Sequence, residues 1–148
     1  MRVNIDPVAD HDIQDLRQDY DRGALSEGDL GLDPIAAFGT WMATALDSGV
    51  PEPHAAALAT ADSEGRPSVR IVLCRGFDQR GFAFYTNYGG RKALDLMVNP
   101  RAALCFFWQP LERQVRIEGD VERLTAAESD AYFASRPRAS QLGAWASP

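Results

Sequence analysis

Apolar residues recur at two spacings along this 148-residue chain, and each change of spacing marks a change of element. Ile13, Leu16 and Tyr20 fall at helical intervals, so residues 12–20 predict a short helix. Gly23, Gly28 and Gly31 follow in polar surroundings, which makes residues 1–32 an N-terminal helix and a flexible link. Asp33-Pro34 pairs an N-cap acid with proline at the first helical position, and Ile35, Phe38, Met42, Ala45 and Leu46 then form one apolar stripe, closed by Gly49 before Pro51. A small-residue strand over 55–61 turns through Asp62-Ser63-Glu64-Gly65 into a second strand over 69–74. In that strand Val69, Ile71 and Leu73 point one way and Arg70, Val72 and Cys74 the other. Asp78-Gln79-Arg80-Gly81 has the residues of a short hairpin loop, with a strand resuming over 82–87.

Gly89-Gly90 predicts a tight turn opening a helix at Arg91-Lys92, with Ala93, Leu94, Met97 and Val98 inward and Asn99-Pro100 as its stop. Residues 102–108 are almost continuously apolar, so both faces of that strand are expected to be covered, with Phe106, Phe107 and Trp108 in a core or a subunit interface. Val115, Ile117 and Val121 alternate with Gln114, Arg116 and Glu118, the pattern of a strand with one wet face. Thr125-Ala126-Ala127-Glu128 is a capping box, its helix running through Tyr132 to about Ser135 before Pro137; residues 139–146 form a last short helix. Three strands, a helix and two more strands do not alternate as βαβ units. The fold expected is mainly β, an antiparallel barrel with peripheral helices, in one domain over 1–148.

Composition narrows the function class. With 45% hydrophobic and 24% charged residues the chain is ordinary globular protein, and a chain of this size can bury roughly 70% of its unfolded surface. No apolar run is long enough to span a bilayer, and residues 1–10 carry acids where a signal peptide is basic, so a cytoplasmic location is expected. Cys74 and Cys105 sit in apolar strands without a CxxC, which reads as two buried free thiols; with only two histidines, no metal site is assigned. The net charge of −6 argues against nucleic acid as a partner. It is uneven: residues 1–66 hold 13 acids and 4 bases, residues 67–148 hold 8 acids and 11 bases, so an anion should dock on the second part. Lys92 is the only lysine; the other candidate cations are arginines, suited to forked phosphate contacts.

The segment 70–92 concentrates the candidate chemistry. Arg70 starts one strand, and Arg91 and Lys92 open a helix whose first amides have no internal acceptor, a combination able to cradle a phosphate. Each piece also has a plain structural reading: a turn, a solvated helix start, a rim arginine. The residues by themselves leave both open.

Arg70-Ile71-Val72-Leu73, Tyr85-Thr86-Asn87 with Gly89-Gly90-Arg91-Lys92, Glu112-Arg113-Gln114-Val115, and the run from Ser135-Arg136-Pro137-Arg138 through Ser140 to Trp145 resemble, in order and spacing, the pyridoxamine (pyridoxine) 5'-phosphate oxidase family. The resemblance covers about residues 16–147 and implies an FMN-binding split barrel that dimerises with FMN in the grooves between subunits. It implies that Arg70, Arg91 and Lys92 hold the FMN phosphate, that Ile71, Val72 and Leu73 run beside the flavin, that Tyr85 and Thr86 touch it, and that Gln114 reaches it from the partner subunit. Arg75, Tyr132, Arg136 and Ser140 would grip the phosphate of a B6 vitamer, and the segment with Arg17 and Tyr20 would lie over the substrate. The implied reaction is oxidation of pyridoxamine or pyridoxine 5'-phosphate to pyridoxal 5'-phosphate, hydride passing to flavin N5 and then to O2. No general base is required and none is assigned. Two departures stand out. The family usually has lysine where this chain has Arg75, and its members continue past the Trp145 motif with further barrel strands and an Arg-Leu-His stretch. The chain is therefore expected to be a portion of such an enzyme or a short relative of it. The alternatives are a split-barrel flavin oxidoreductase of other substrate, of the phenazine-pathway kind, and an FMN-binding dimer without turnover.

Overall fold

The computed structural model describes Asp19 and residues 25–146. Apart from Asp19, the helix expected over 12–20, with Arg17 and Tyr20, lies outside the described residues. Within the expected link a short helix, α1, spans Glu27–Leu30. Helix α2 covers Pro34–Asp47, started as the sequence predicts: Asp33 Oδ1 accepts from the amides of Ile35 at 2.8 Å and Ala36 at 3.2 Å, satisfying donors the first turn cannot pair internally.

Five strands follow: β1 Ala55–Ala61, β2 Pro67–Asp78, β3 Gly81–Phe84, β4 Arg101–Trp108 and β5 Arg113–Asp120, with helix α3 at Arg91–Val98 between β3 and β4. They pair antiparallel in the order β3-β2-β1-β4-β5 and form a curled half-barrel. Helices α4, Ala126–Ser135, and α5, Arg138–Ala146, close the described chain. The expected antiparallel barrel architecture with outer helices is the one found. Among the described residues no helix is long and apolar enough to cross a membrane.

The inner face of the sheet packs against α2. Phe38 is the hub, meeting Phe77, Phe82 and Phe106 edge-on at centroid distances of 4.8, 4.9 and 5.0 Å. Truncating an aromatic so placed costs about 3–5 kcal/mol. Phe106 and Trp108 are fully buried beside it, and the Trp108 indole donates to the Pro53 carbonyl at 2.8 Å.

Three expectations are corrected and one is narrowed. Of the α3 residues expected inward only Ala93 is buried; Leu94, Met97 and Val98 face out, because the helix docks on β1 through Asp95, a polar anchor that rotates the apolar stripe away. Within one chain, and among the described residues, only one face of β4 is covered, with Phe107 59% exposed, since α2 lies on one side of the sheet alone; a subunit interface stays open for the other face. Cys105 shares that open face and is half-exposed, not buried. The strand expected over 82–87 ends at Phe84, where the chain leaves the ladder.

Candidate functional site

Arg70 stands on the core-facing side of β2, opposite the buried Leu58 of β1, with its side chain 20% exposed. A guanidinium in that position needs acceptors. One amino group donates to the Leu58 carbonyl at 3.2 Å and to Thr60 Oγ1 at 2.8 Å. The other donates to Ser68 Oγ at 2.8 Å and lies 3.8 Å from Asp95 Oδ2. Thr60 passes the chain of bonds on, donating to that same Asp95 oxygen at 2.7 Å. This buried knot ties α3 to β1 and β2. Asp95 lies one helical turn after Arg91 and Lys92, so the knot anchors to the sheet the helix that carries both cations. Thr60, Ser68 and Asp95 are absent from the sequence-based set. Their available signal is that Thr60 is the one polar residue in an alanine-rich strand and Asp95 the one acid in α3.

At the mouth itself, Gly90 is the N-cap of α3 with φ −77° and ψ 155°, a conformation any residue adopts, so the expected need for a glycine-specific turn is not met there. A Cβ on Gly90 would make only ordinary contacts, 3.5 Å from the Asn87 carbonyl oxygen and 3.8 Å from Lys92 Nζ, so neither conformation nor space demands glycine there. No side chain among the described residues caps α3; the amides of Ala93 and Leu94 turn back to the Gly90 carbonyl, which leaves those of Arg91 and Lys92 for an outside acceptor. Arg91 is exposed, Lys92 half-buried, and Arg123 adds a further cation, its guanidinium 4.8 Å over the Tyr88 ring in the preceding loop. Two consecutive cations and open amides at a helix start suit a phosphomonoester.

Ile71, Val72 and Leu73 lie where β2 has a strand on one side only. Pairing with β3 begins at Cys74, so over residues 67–73 the edge of β2 away from β1 carries no strand among the described residues. Backbone donors and acceptors on that edge are available to a planar heterocycle. Val72 is buried, Leu73 half-buried and Ile71 67% exposed, which bears out the alternation read from the sequence. Tyr85 and Thr86 continue from β3 just where it leaves the ladder, half-buried.

A second group of sequence-predicted residues meets in an open cleft of about 270 Å³ lined by Arg75, Tyr132, Ser135, Arg136, Pro137 and Ser140. A β-bulge accounts for Arg75. Cys74 pairs with Phe84 and Gly76 with Ala83, leaving Arg75 as the extra residue, and an extra residue re-aims its side chain out of the ladder. Burial pushes the Cys74 thiol up, keeping it neutral as a donor to the Gly76 carbonyl at 3.3 Å. Gly76, a glycine inside the strand, is the signal that could have located this bulge, and it is absent from the sequence-based set. On the other wall, Tyr132 stacks on Tyr85 at a centroid distance of 3.6 Å and 8° between planes, joining a candidate of the first group to one of the second. The capping box forms as the sequence predicts, Thr125 Oγ1 accepting from the Glu128 amide at 3.2 Å and Glu128 Oε2 from the Thr125 amide at 3.0 Å. Ser135 and Pro137 complete the cleft and are not in the sequence-based set.

Gln114 is not brought to either group. It pairs with Phe107 on the outer face of the sheet, opposite to the face that holds Arg70. Register places Ile71, Ala57 and Cys105 in one row of that face and Val69, Ala59 and Ala103 in the next. The result is a shallow alanine floor between exposed Val69, Ile71 and Phe107.

Comparison with known proteins gives a consistent result. A family model described as pyridoxamine 5'-phosphate oxidase matches residues 42–148. Relatives named pyridoxine/pyridoxamine 5'-phosphate oxidase include that of Bordetella petrii, 60% identical over 135 residues, and that of Rubrobacter xylanophilus, 58% identical over 139. The alignments cover 91% and 94% of this chain and 64% of each relative, so the chain spans about two-thirds of the length of these proteins. Among solved structures, PhzG from Burkholderia lata 383, in complex with tetrahydrophenazine-1-carboxylic acid, superposes with a TM-score of 0.79 at 32% identity, over 84% of this chain and 62% of that one. A pyridoxamine 5'-phosphate oxidase-related, FMN binding protein from Nostoc punctiforme shares the fold, with a TM-score of 0.61 at 21% identity over 77% of this chain and 64% of that one.

Proposed function

Because the chain belongs to the pyridoxamine 5'-phosphate oxidase family, we propose that it binds FMN and serves the oxidation of pyridoxamine or pyridoxine 5'-phosphate to pyridoxal 5'-phosphate with O2 as acceptor. The observation that carries this reading is the cleft in which Arg75, Tyr132, Arg136 and Ser140 meet, tied by the Tyr132–Tyr85 stack to the segment leading into the α3 mouth. FMN would supply the hydride acceptor and its reoxidation by O2. Arg70, Arg91, Lys92 and the uncapped amides of α3 would hold its phosphate, and the unpaired edge of β2 at Ile71, Val72 and Leu73, with Tyr85 and Thr86, would line its ring system. Arg75, Arg136, Tyr132 and Ser140 would receive the substrate phosphate. Two guanidiniums provide charge-assisted donors and two hydroxyls complete the shell of a dianion. Arg75, broader than the lysine usual in the family, offers a forked contact in place of a point charge.

A homodimer belongs to this reading. The alanine floor with exposed Val69, Ile71 and Phe107 is an apolar sheet face that a second copy would cover, and Gln114, on that face, would then reach the partner's flavin. The fit to PhzG favours a second reading, in which the same flavin groove serves a flat carboxylate substrate. A flavin-binding dimer without turnover is the third.

The test is direct. The purified chain mixed with FMN is expected to retain flavin absorbance, to run as a dimer on sizing, and to release hydrogen peroxide with pyridoxine 5'-phosphate but not with pyridoxine. Flavin retention without peroxide from either vitamer would shift support to the second and third readings. Failure to retain flavin would overturn all three.

A further inference from the structure

We propose that Arg80, in the turn between β2 and β3, is a positioning residue for the anion cleft: through Glu128 it sets where α4 holds Tyr132 and Arg136 opposite Arg75. The inference rests on the reading of that cleft as the substrate-phosphate site. Among the described residues helix α4 has no fully buried side chain, only a half-buried side at Ser129, Tyr132 and Phe133, so apolar packing holds it weakly. Discrete contacts must orient it, and two of them run to the β2–β3 hairpin. Near the helix start, Arg80 NH1 lies 3.1 Å from Glu128 Oε1. One turn on, Tyr132 stacks on Tyr85. Glu128, Tyr132 and Arg136 are spaced by four residues and so follow one side of α4 into its cap.

Arg80 is itself held before it reaches α4. Its Nε and NH2 contact Asp78 Oδ2 at 3.1 and 2.9 Å, and its amide donates to Asp78 Oδ1 at 2.8 Å. Its neighbour Gln79 donates to Asp33 Oδ2, at the start of α2, at 3.0 Å. The turn is thus moored to the body of the fold. Glu128 divides its work between two oxygens: Oε2 accepts from Thr125 in the capping box, while Oε1 is turned to Arg80. Because Arg75 belongs to the same hairpin, the Arg80–Glu128 pair fixes one wall of the cleft relative to the other.

The experiment measures binding of pyridoxal 5'-phosphate to the FMN-loaded chain by titration. Glu128→Gln is the informative variant, since glutamine preserves the capping box and removes the charge facing Arg80. Glu128→Gln and Arg80→Ala are each expected to weaken binding roughly two- to fivefold, the scale of an exposed ion pair. The double variant should be no weaker than either single one, and Arg80→Lys should recover most of the loss. Flavin retention and far-ultraviolet helix signal should stay at wild-type values, and the thermal midpoint should fall by no more than an exposed ion pair accounts for. Wild-type affinity in Arg80→Ala, with Arg136→Ala weakened, overturns the inference and leaves the cleft standing. Wild-type affinity in Arg136→Ala as well, or no binding by the unmodified chain, brings down the cleft reading and the inference with it. A loss in Glu128→Gln without one in Arg80→Ala would mean that the carboxylate acts other than through Arg80 and also overturn the inference.

Discussion

The two groups of cations in this protein are built on opposite plans. Arg70 is mostly buried and spends its donors inside the fold, on Leu58, Thr60, Ser68 and Asp95. Arg75 and Arg136 line an open cleft and form no ion pair among the described residues. A buried guanidinium must be satisfied before any ligand arrives, or the chain would not fold around it. A cation at a cleft rim stays solvated until a ligand replaces the water. The first kind therefore holds structure and anchors α3; the second is free to bind and release. Under the function proposed above, the first group would serve a tightly retained cofactor and the second an exchanging substrate.

The contrast can be broken in three ways, taken from the largest expected effect. Arg91→Ala with Lys92→Ala should lower FMN affinity by orders of magnitude, because charged hydrogen bonds contribute about 1.5–3 kcal/mol each, while the thermal midpoint of the flavin-free chain barely moves. Flavin retention equal to wild type would discard the helix mouth as the phosphate site. Next, Arg70→Ala should destabilise the flavin-free chain in urea by about 3 kcal/mol, since it strands the buried Asp95, whereas Arg136→Ala should leave the urea midpoint alone and raise KM for the phosphorylated vitamer. Equal effects of the two on stability would erase the distinction drawn above.

The smallest effect is a pH dependence of the peripheral ties. Amides of Ala36 and Ile35 hold Asp33 below the usual carboxylate range, and the Thr125 hydroxyl and amide, with Arg80, do the same for Glu128. A carboxylate depressed in the folded state contributes stability that is complete above its unfolded pKa and is lost as pH falls through the folded one. Urea midpoints should accordingly be level from pH 7 to about 5 and decline below roughly pH 4, near the ordinary carboxylate values. A urea midpoint that falls already between pH 7 and about pH 5 would contradict it.

Periodicity alone was enough for the framework. The alternation in β1, β2 and β5, the Asp33-Pro34 start and the Thr125 capping box all depend on neighbours a few residues apart, and local spacing carries that information. The residues that meet in the cleft were legible through a motif, not through spacing, since Arg75 and Arg136 lie far apart in the chain. What escaped was every feature that depends on a distant partner. Leu94, Met97 and Val98 look like an inward stripe, yet the bonds of Asp95 to Thr60 and Arg70 decide the rotation of α3. Residues 102–108 look covered on both sides, yet a single layer lies against them in one chain.

The amino-acid order by itself determined most of the segments that become strands and helices, the starts of α2 and α4 at their caps, and that the positive charge gathers in residues 67–148. Only the tertiary structure decided that a one-residue bulge turns Arg75 toward α4, that β3 stops short and leaves an edge of β2 open, and that a buried carboxylate ties Arg70 to α3. The reason is physical. Side-chain direction within an element follows from bonds three or four residues apart, whereas register, bulges and the choice of buried partner follow from hydrogen bonds that must be satisfied between segments tens of residues apart.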